Sequence, residues 1–95
     1  MERQPCVYIM TNKRNGTLYT GVTSNIRNRV LQHKNEAVES FTKKYKLHML
    51  VYAEVCESMT QAIEREKQIK GGSRKKKLAL IENDNRLWKD LTGSI

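Results

Sequence analysis

Several residue types are scarce in this 95-residue chain. It has one proline, five glycines, two cysteines and 6% aromatic residues. Cys6 and Cys56 match neither a C-x-x-C metal pattern nor a dense disulfide framework. Each lies in or beside a predicted strand, so we expect buried free thiols of a reducing cytoplasm, with a bridge between them as the alternative.

Long apolar runs are absent as well. No segment approaches the ~20 apolar residues of a transmembrane helix, and the charged N-terminus has too short an apolar run for a signal peptide. We therefore expect a cytoplasmic protein without a membrane span. Ninety-five residues, 38% of them hydrophobic, suffice for one core, so the expected organisation is a single domain over residues 1–95.

Acidic residues are outnumbered by basic ones. Eighteen Lys and Arg against ten Asp and Glu give a net charge of +8 and a pI near 9.7. Such a charge favours a polyanionic partner, which is nucleic acid or an acidic membrane surface. A soluble basic protein without such a partner would have the same composition, so charge alone does not decide between them.

The first half of the chain predicts a hairpin, a helix and a strand. PCVYIMTN and TLYTGV read as antiparallel strands around the turn KRNG. After a turn at Gly21 and a cap at Thr23 or Ser24, a helix is predicted from about Ser24 to Val38. ESFTKKYK is a connecting loop, and LHMLVYAEVC is a third strand, apolar enough to be central in the sheet.

The second half predicts two helices. Ser58 and Gln61 form a capping box for MTQAIEREKQIK, which ends at Gly71-Gly72. Ser73 caps a third helix, SRKKKLALIEND. The order β-β-α-β-α-α predicts a layered α/β/α domain of the α+β class, with a small three-stranded antiparallel sheet flanked by helices.

The hairpin brings two tyrosines to one face of the sheet. Its loop is either the pair Asn15-Gly16 or the four residues 13–16, and both lengths are even. Across an antiparallel pair with an even loop, Tyr8 and Tyr19 project from the same face, and Val7 and Ile9 take the other.

Polar side chains interrupt the apolar face of each predicted helix. Arg29 and His33 share a side with Ile26, Val30 and Ala37. The same spacing places Glu66 among Ala62, Ile63 and Ile69, and Asn85 after Leu78 and Ile81. Each residue has a purely structural explanation, such as a core histidine or a paired carboxylate. Their coincidence in a small protein favours one functional site.

These residue types suit the hydrolysis of a phosphodiester. Glu66 can hold one hard divalent cation, and Arg29 can fork onto a phosphate. Tyr8 or Tyr19 can orient or deprotonate the attacking water, His33 can join the proton relay, and Asn85 can brace the metal or a tyrosine. No P-loop, no zinc-ligand spacing and no serine or cysteine nucleophile with a neighbouring base is evident, so direct metal-assisted hydrolysis fits better than a covalent route.

The chain contains CVY at 6–8 and YTG at 19–21, followed by the later arginine, histidine, glutamate and asparagine. Together these residues resemble the GIY-YIG nuclease superfamily, in particular its small stand-alone bacterial members. The resemblance covers nearly all of the chain. It implies hydrolysis of DNA with one Mg²⁺ or Mn²⁺ per site. The implied site residues are Tyr8, Tyr19, Arg29, His33, Glu66 as the metal ligand, and Asn85. Cys6, Val7 and Thr20 depart from the motifs at positions that affect backbone packing.

Two basic segments are candidate DNA contacts beyond this site. They comprise Lys43, Lys44 and Lys46, with Tyr45 for stacking, and Arg74, Lys75, Lys76 and Lys77. Phosphate contacts carry no sequence information, so we expect weak, salt-sensitive binding by a monomer or weak homodimer.

Three functions remain open at this point. The first is a metal-dependent DNA endonuclease, with branched or damaged DNA, or RNA, as further substrates. The second is a non-catalytic nucleic-acid-binding adaptor with the same fold. The third is a basic protein bound to an acidic protein. An adaptor needs the basic surface and does not need Glu66, so a Glu66 variant separates the first two.

Overall fold

The structure, a computed structural model, describes residues 4–35 and 44–95. Within these ranges it has three strands and three α-helices in the predicted order, so the α+β fold is confirmed. The elements are β1 (Cys6–Thr11), β2 (Leu18–Thr23), α1 (Ile26–Lys34), β3 (Met49–Val55), α2 (Met59–Gly71), α3 (Arg74–Asp84) and a final 3₁₀ helix (Leu91–Ser94).

β1 is the central strand of the antiparallel sheet, whose order is β2-β1-β3. The prediction that the third strand is central was therefore wrong. All six residues of β1 are buried, whereas β3 lies at an edge and still buries Leu50, Val51 and Tyr52. Helices cover the faces of a strand whether or not it has two neighbours, so apolar content alone does not distinguish a central strand from an edge strand.

The two faces of the sheet carry two separate clusters of core residues. One contains Tyr8 and Met10 of β1 with Tyr19 and, from α1, Val30. The other contains Val7 and Ile9, packed against residues of α2 and α3. Residues 12–17 connect the strands, a longer loop than either predicted one. Its length is also even, so the predicted facing of the tyrosines is confirmed. The helices therefore form one layer on each side of the sheet.

The start of α1 differs from its prediction. Asn25 is the N-cap, and its side chain accepts a hydrogen bond from the Asn28 backbone N–H at 3.1 Å. Thr23 still belongs to β2, and Gly21 lies within that strand opposite Tyr8 rather than in a turn. α1 ends at Lys34 with Asn35 as its C-cap, four residues before the predicted end at Val38. Ala37 and Val38 themselves lie outside the described residues.

The caps of the later helices are confirmed. Ser58 accepts from the backbone N–H of Gln61 at 3.1 Å, and Ser73 does the same for Lys76 at 3.2 Å. Gln61 returns a bond to the backbone N–H of Glu57 at 2.8 Å, one residue before the cap. Gly72 ends α2.

Both cysteines are buried and free. Burial raises the pKa of the Cys6 thiol to about 11, so this side chain remains protonated and poorly nucleophilic near neutral pH. In the described ranges no helix is long and apolar enough to cross a membrane.

Candidate active site

Three side chains on one face of the sheet are in direct contact. The hydroxyl of Tyr8 is hydrogen-bonded to Nε2 of His33 at 3.0 Å, in the buried layer between β1 and α1. Tyr19 completes the group, with its ring centroid 6.3 Å from that of Tyr8 and 5.5 Å from that of His33. Tyr8 and His33 are buried, and Tyr19 is partly exposed. We call these three residues the tyrosine–histidine cluster.

Gly21 makes room for this cluster. A Cβ atom at this position would lie 2.7 Å from the hydroxyl oxygen of Tyr8 and 3.0 Å from Cε2 of Tyr19. The first distance is shorter than real Cβ contacts and the second is tighter than most of them, and the Gly21 backbone has no positive φ angle. The glycine is therefore required by the two rings above it and not by a turn. A glycine inside a strand pattern, two residues after a tyrosine, was the available signal for this close approach.

Arg29 lies one turn before His33 on α1 and on the same side of the helix. It is partly exposed, whereas His33 is fully enclosed. Within the part of the chain that the structure describes, the Arg29 guanidinium makes no hydrogen bond or ion pair. The Arg29 cation is thus available to bind an anion.

Glu66 lies beside the buried stripe of α2 and not in its middle. The fully buried residues of the helix are Ala62 and Ile69, and Ile63 is 38% exposed. The Glu66 side chain is 19% exposed and pairs with Lys70, one turn later, at 3.1 Å. α2 packs against β1 and β2 from the face opposite to α1. No described contact joins Glu66 to the tyrosine–histidine cluster.

Asn85 has structural partners. Its Nδ2 donates to the carbonyl oxygens of Val51 at 3.1 Å and Lys89 at 2.8 Å, and its Oδ1 accepts from the Lys89 backbone N–H at 2.9 Å. These bonds attach the segment after α3 to β3. A catalytic part for Asn85 stays a prediction, with no described contact to the tyrosine–histidine cluster.

The composition of the site fits a single-carboxylate metal ligand. Among residues 4–35 and 44–95, no three His, Cys, Asp or Glu side chains come together to hold a cation. Mg²⁺ and Mn²⁺ do not need such a cage, because one carboxylate, several waters and substrate phosphate oxygens can complete an octahedral shell. Glu66 is a partly exposed carboxylate whose ion-pair partner among the described residues is the exposed Lys70, so its oxygens fit this ligand chemistry.

The model of the family described as the GIY-YIG catalytic domain matches residues 4–79. The chain belongs to the GIY-YIG family. The match includes both tyrosines, Arg29, His33 and Glu66 and ends before Asn85. The family is a nuclease family, so membership implies a nucleic-acid substrate.

Two relatives and one solved structure match this GIY-YIG chain over most of their own length. The UPF0213 protein of Staphylococcus saprophyticus is 40% identical over 75 residues, which are 79% of this chain and 90% of the relative. The UPF0213 protein of Staphylococcus haemolyticus is 41% identical over 76 residues, with 80% and 92% covered. The solution NMR structure of the UPF0213 protein BH0048 from Bacillus halodurans has a TM-score of 0.59, 27% identity and 94% coverage of both chains. These names state no substrate, so the substrate has to be argued from the site.

The predicted basic segment 74–77 of this GIY-YIG domain contains one residue with a structural contact and three lysines that are exposed or partly exposed. Arg74 is a structural residue, since its Nη2 donates to the carbonyl oxygens of Asn15 and Gly16, each at 2.7 Å. Lys75 and Lys76 are exposed and Lys77 is partly exposed on the first turn of α3.

The other predicted basic segment is partly described. Lys44 and Lys46 are exposed, and Nζ of Lys44 lies 5.4 Å from the centroid of the Tyr45 ring. Lys43 lies outside the described residues. Among the described residues of the two predicted basic segments, Lys75, Lys76 and Lys77 lie on α3, and Lys44 and Lys46 lie before β3.

Two ion-paired networks of the GIY-YIG fold were missed by the sequence reasoning. Lys34 at the end of α1 pairs with Asp90 at 2.8 Å, and Arg65 of α2 pairs with Glu54 of β3 at 3.1 Å. Each basic residue directly neighbours a predicted site residue, His33 or Glu66. That adjacency was visible in the sequence, but the acidic partners are distant in the chain and no local pattern identifies them.

Proposed function

We propose that this GIY-YIG protein is a divalent-metal-dependent endonuclease that hydrolyses phosphodiester bonds in DNA. The observation that carries the proposal is the Tyr8–His33 hydrogen bond of 3.0 Å, with Tyr19 beside it and an uncommitted Arg29 guanidinium one helical turn away. These side chains would supply the proton relay and the anion-binding group that phosphodiester hydrolysis requires.

The chain's own residues account for proton transfer and charge. Water attacks phosphorus as its proton passes to a tyrosine, and a tyrosine bonded to His33 can pass its own proton to the imidazole. The P–O bond to the leaving oxygen then breaks. Tyr8 has the bond to His33, and Tyr19 has the greater exposure. Arg29 would bind a non-bridging phosphate oxygen and balance the charge that develops in the transition state.

Glu66 would hold the cation. When bound, the cation supplies a Lewis acid that polarises the phosphoryl oxygen and stabilises the leaving alkoxide. α2 packs on the face of the sheet opposite to α1, but it packs against β2, which is an edge strand. Side chains from the two faces of an edge strand can meet beyond that edge. A phosphate lying along β2 would therefore be reached by Arg29 from one side and Glu66 from the other.

Nonspecific DNA contacts would come from the lysines on the first turn of α3. Helix N-termini favour anions, yet this turn has no acidic residue and three lysines after Arg74. A phosphate backbone passing along this turn would interact favourably with the lysines and with the helix dipole.

The alternative function is that of a nucleic-acid-binding adaptor. The Glu66–Lys70 pair favours it, because a carboxylate neutralised within its own helix is also what a non-catalytic domain would contain. Removal of the Glu66 carboxylate distinguishes the two functions, since an adaptor would bind DNA without it.

The test is nicking of supercoiled plasmid with Mg²⁺, with Mn²⁺ and with EDTA. We expect metal-dependent nicking by the wild type and a loss of about 100-fold or more in Glu66→Ala, because a lost metal ligand removes several kcal/mol of transition-state stabilisation. Glu64→Ala is the matched control. It removes an exposed carboxylate two residues away on the outer side of α2 and is expected to nick at the wild-type rate.

Two results would contradict the proposal. Equal nicking by the wild type and Glu66→Ala would show that the nicking does not depend on the Glu66 carboxylate. No nicking by either protein, with plasmid still retarded on a gel, would favour the adaptor. Branched DNA and RNA tested in the same assay would then identify a narrower substrate.

A further inference from the structure

A network of four side chains connects α2 to β3. Nε of Arg65 donates to Oε1 of Glu54 at 3.1 Å, and its Nη1 donates to Gln68 at 3.2 Å. The hydroxyl of Tyr52 donates to the same Glu54 oxygen at 2.5 Å. Tyr52 is itself a buried core residue. The Arg65 guanidinium is thus bound by the Glu54 carboxylate, which in turn accepts a hydrogen bond from the core residue Tyr52.

Helical geometry relates this network to Glu66. Successive residues of an α-helix are about 100° apart around its axis. Ala62 and Ile69 define the side of α2 that faces the sheet, and Arg65 and Glu66 flank that side in opposite directions. Arg65 reaches toward β3 at one edge of the sheet. Glu66 therefore points in the other direction, toward β2 at the opposite edge, where the helix also packs.

We propose that Glu54 and Arg65, supported by Tyr52, are positioning residues that fix the rotation of α2 about its axis and thereby set the position of the Glu66 carboxylate. This inference rests on the proposed function of Glu66 as a metal ligand. None of the three residues touches the reacting atoms. They act through the helix, because any rotation of α2 about its axis turns Arg65 and Glu66 through the same angle.

Stability alone does not explain this network well. The side chains of Arg65 and Glu54 are 32% and 35% exposed, and pairs at such exposure contribute little net stability. The Nε and Nη1 atoms of one rigid guanidinium are nevertheless bound in two directions, which gives a defined orientation. A second ion pair, Lys34–Asp90, has nearly the same exposure, 30% and 34%, but lies at the end of α1. It provides a matched control.

The experiment compares the wild type with Glu54→Gln and Asp90→Asn. Mn²⁺ is titrated into the DNA-free, ¹⁵N-labelled protein, and paramagnetic broadening of the Glu66 amide is followed. The Mn²⁺ concentration for half-maximal plasmid nicking is measured in parallel. We expect Glu54→Gln to raise by about tenfold the Mn²⁺ concentrations for half-maximal broadening and for half-maximal nicking. The loss of groups that orient metal ligands has an effect of this size. Asp90→Asn should leave the Mn²⁺ concentration for half-maximal broadening unchanged, because the Lys34–Asp90 pair anchors α1 and not α2.

Two further variants separate positioning from loss of fold. Tyr52→Phe removes only a hydroxyl and should shift both concentrations in the same direction with the spectrum otherwise preserved. Arg65→Lys keeps the charge but loses the fixed Nε contact, and it should give an intermediate shift. The double variant Glu54→Gln/Arg65→Gln should shift the two Mn²⁺ concentrations no further than Glu54→Gln alone, because both substitutions break the same network.

The outcomes separate the two levels of inference. Wild-type Mn²⁺ concentrations in folded Glu54→Gln and Tyr52→Phe, by both readouts, would overturn the positioning proposal and leave the nuclease proposal intact. If the wild type fails to nick while Mn²⁺ broadens its Glu66 amide, the nuclease proposal fails and the spectra alone decide on positioning. Absence of broadening at Glu66 in the wild type would overturn the positioning proposal through its premise.

Discussion

At Gly21 a single missing side chain decides whether the cluster can form. The strand runs directly beneath the rings of Tyr8 and Tyr19, and a methyl group there would contact both rings at 3.0 Å or less. Gly71 is the opposite case, because a Cβ at that position would meet no atom within 4 Å. Glycine is thus required at position 21 and replaceable at position 71.

Gly21→Ala should therefore destabilise the protein, by about 1–3 kcal/mol as overpacking does, and should reduce nicking by displacing the tyrosines. Gly71→Ala is the matched control and should stabilise α2 by about 0.5–1 kcal/mol, because glycine is a poor helix former. Urea unfolding of the two variants checks the signs. Equal stability of Gly21→Ala and the wild type would show that the rings have room to move.

At the scale of elements, β3 and the residue before it anchor the two helices that carry Arg29, His33 and Glu66. Lys34 ends α1 and donates to the carbonyl oxygen of His48 at 2.7 Å and to Asp90 at 2.8 Å. Asp90 also accepts from the backbone N–H of Leu50 at 3.2 Å and from Thr92. The far end of β3 holds α2 through Glu54 and Arg65. The positions of the two helices relative to each other thus depend on one edge strand.

Asp90 should make this anchoring pH-dependent. Burial alone would raise the pKa of its carboxyl group, but the hydrogen bonds from Lys34, Thr92 and Leu50 outweigh burial and lower the pKa from 3.8 to about 2. With the folded pKa below the unfolded value, this contribution to stability is present above about pH 4 and is lost as the pH falls toward 2.

Asp90→Asn measures that contribution. The wild type should be more stable than the variant at pH 6, and the difference should shrink as the pH falls from 4 to 2. Urea midpoints of both proteins across this range give the difference directly. A difference that stays constant with pH would mean that Asp90 stabilises the fold without titrating.

At the scale of the whole molecule, the excess of basic charge lies around the sheet and outside its two cores. The net charge of +8 includes Arg74, whose guanidinium binds the hairpin loop. It also includes the lysines of the first turn of α3, which are exposed or partly exposed. Of these residues, only the lysines of α3 can exchange counterions for DNA phosphates.

DNA affinity should accordingly fall steeply with salt. Replacement of Lys75, Lys76 and Lys77 by glutamine should reduce the slope of log Kd against log salt concentration by about 3, or about one for each lysine. Fluorescence anisotropy with a labelled duplex at several KCl concentrations measures the slope. Arg86→Gln, an exposed cation at the other end of α3, should leave it unchanged. An unaltered slope in the triple variant would exclude this turn from the DNA interface.

Local signals in the sequence predicted much of this fold. The serine caps of α2 and α3 and the glycine that ends α2 depend on neighbouring residues, and the structure confirms them. The shared face of Tyr8 and Tyr19 follows from loop parity, which holds for two, four or six residues alike. The ordered set of tyrosines, arginine, histidine and glutamate indicated the family that the comparisons confirm.

Other features depended on tertiary structure. Whether β1 or β3 is central depends on which strands pair, and pairing partners far apart in the chain leave no local pattern. The hairpin carbonyls that engage Arg74 and the carboxylate that holds Arg65 are likewise remote in sequence. The sequence by itself therefore indicated the candidate site residues and the shared face of Tyr8 and Tyr19. The tertiary structure decided which of them touch, because contacts across a sheet are set by long-range packing and not by neighbours along the chain.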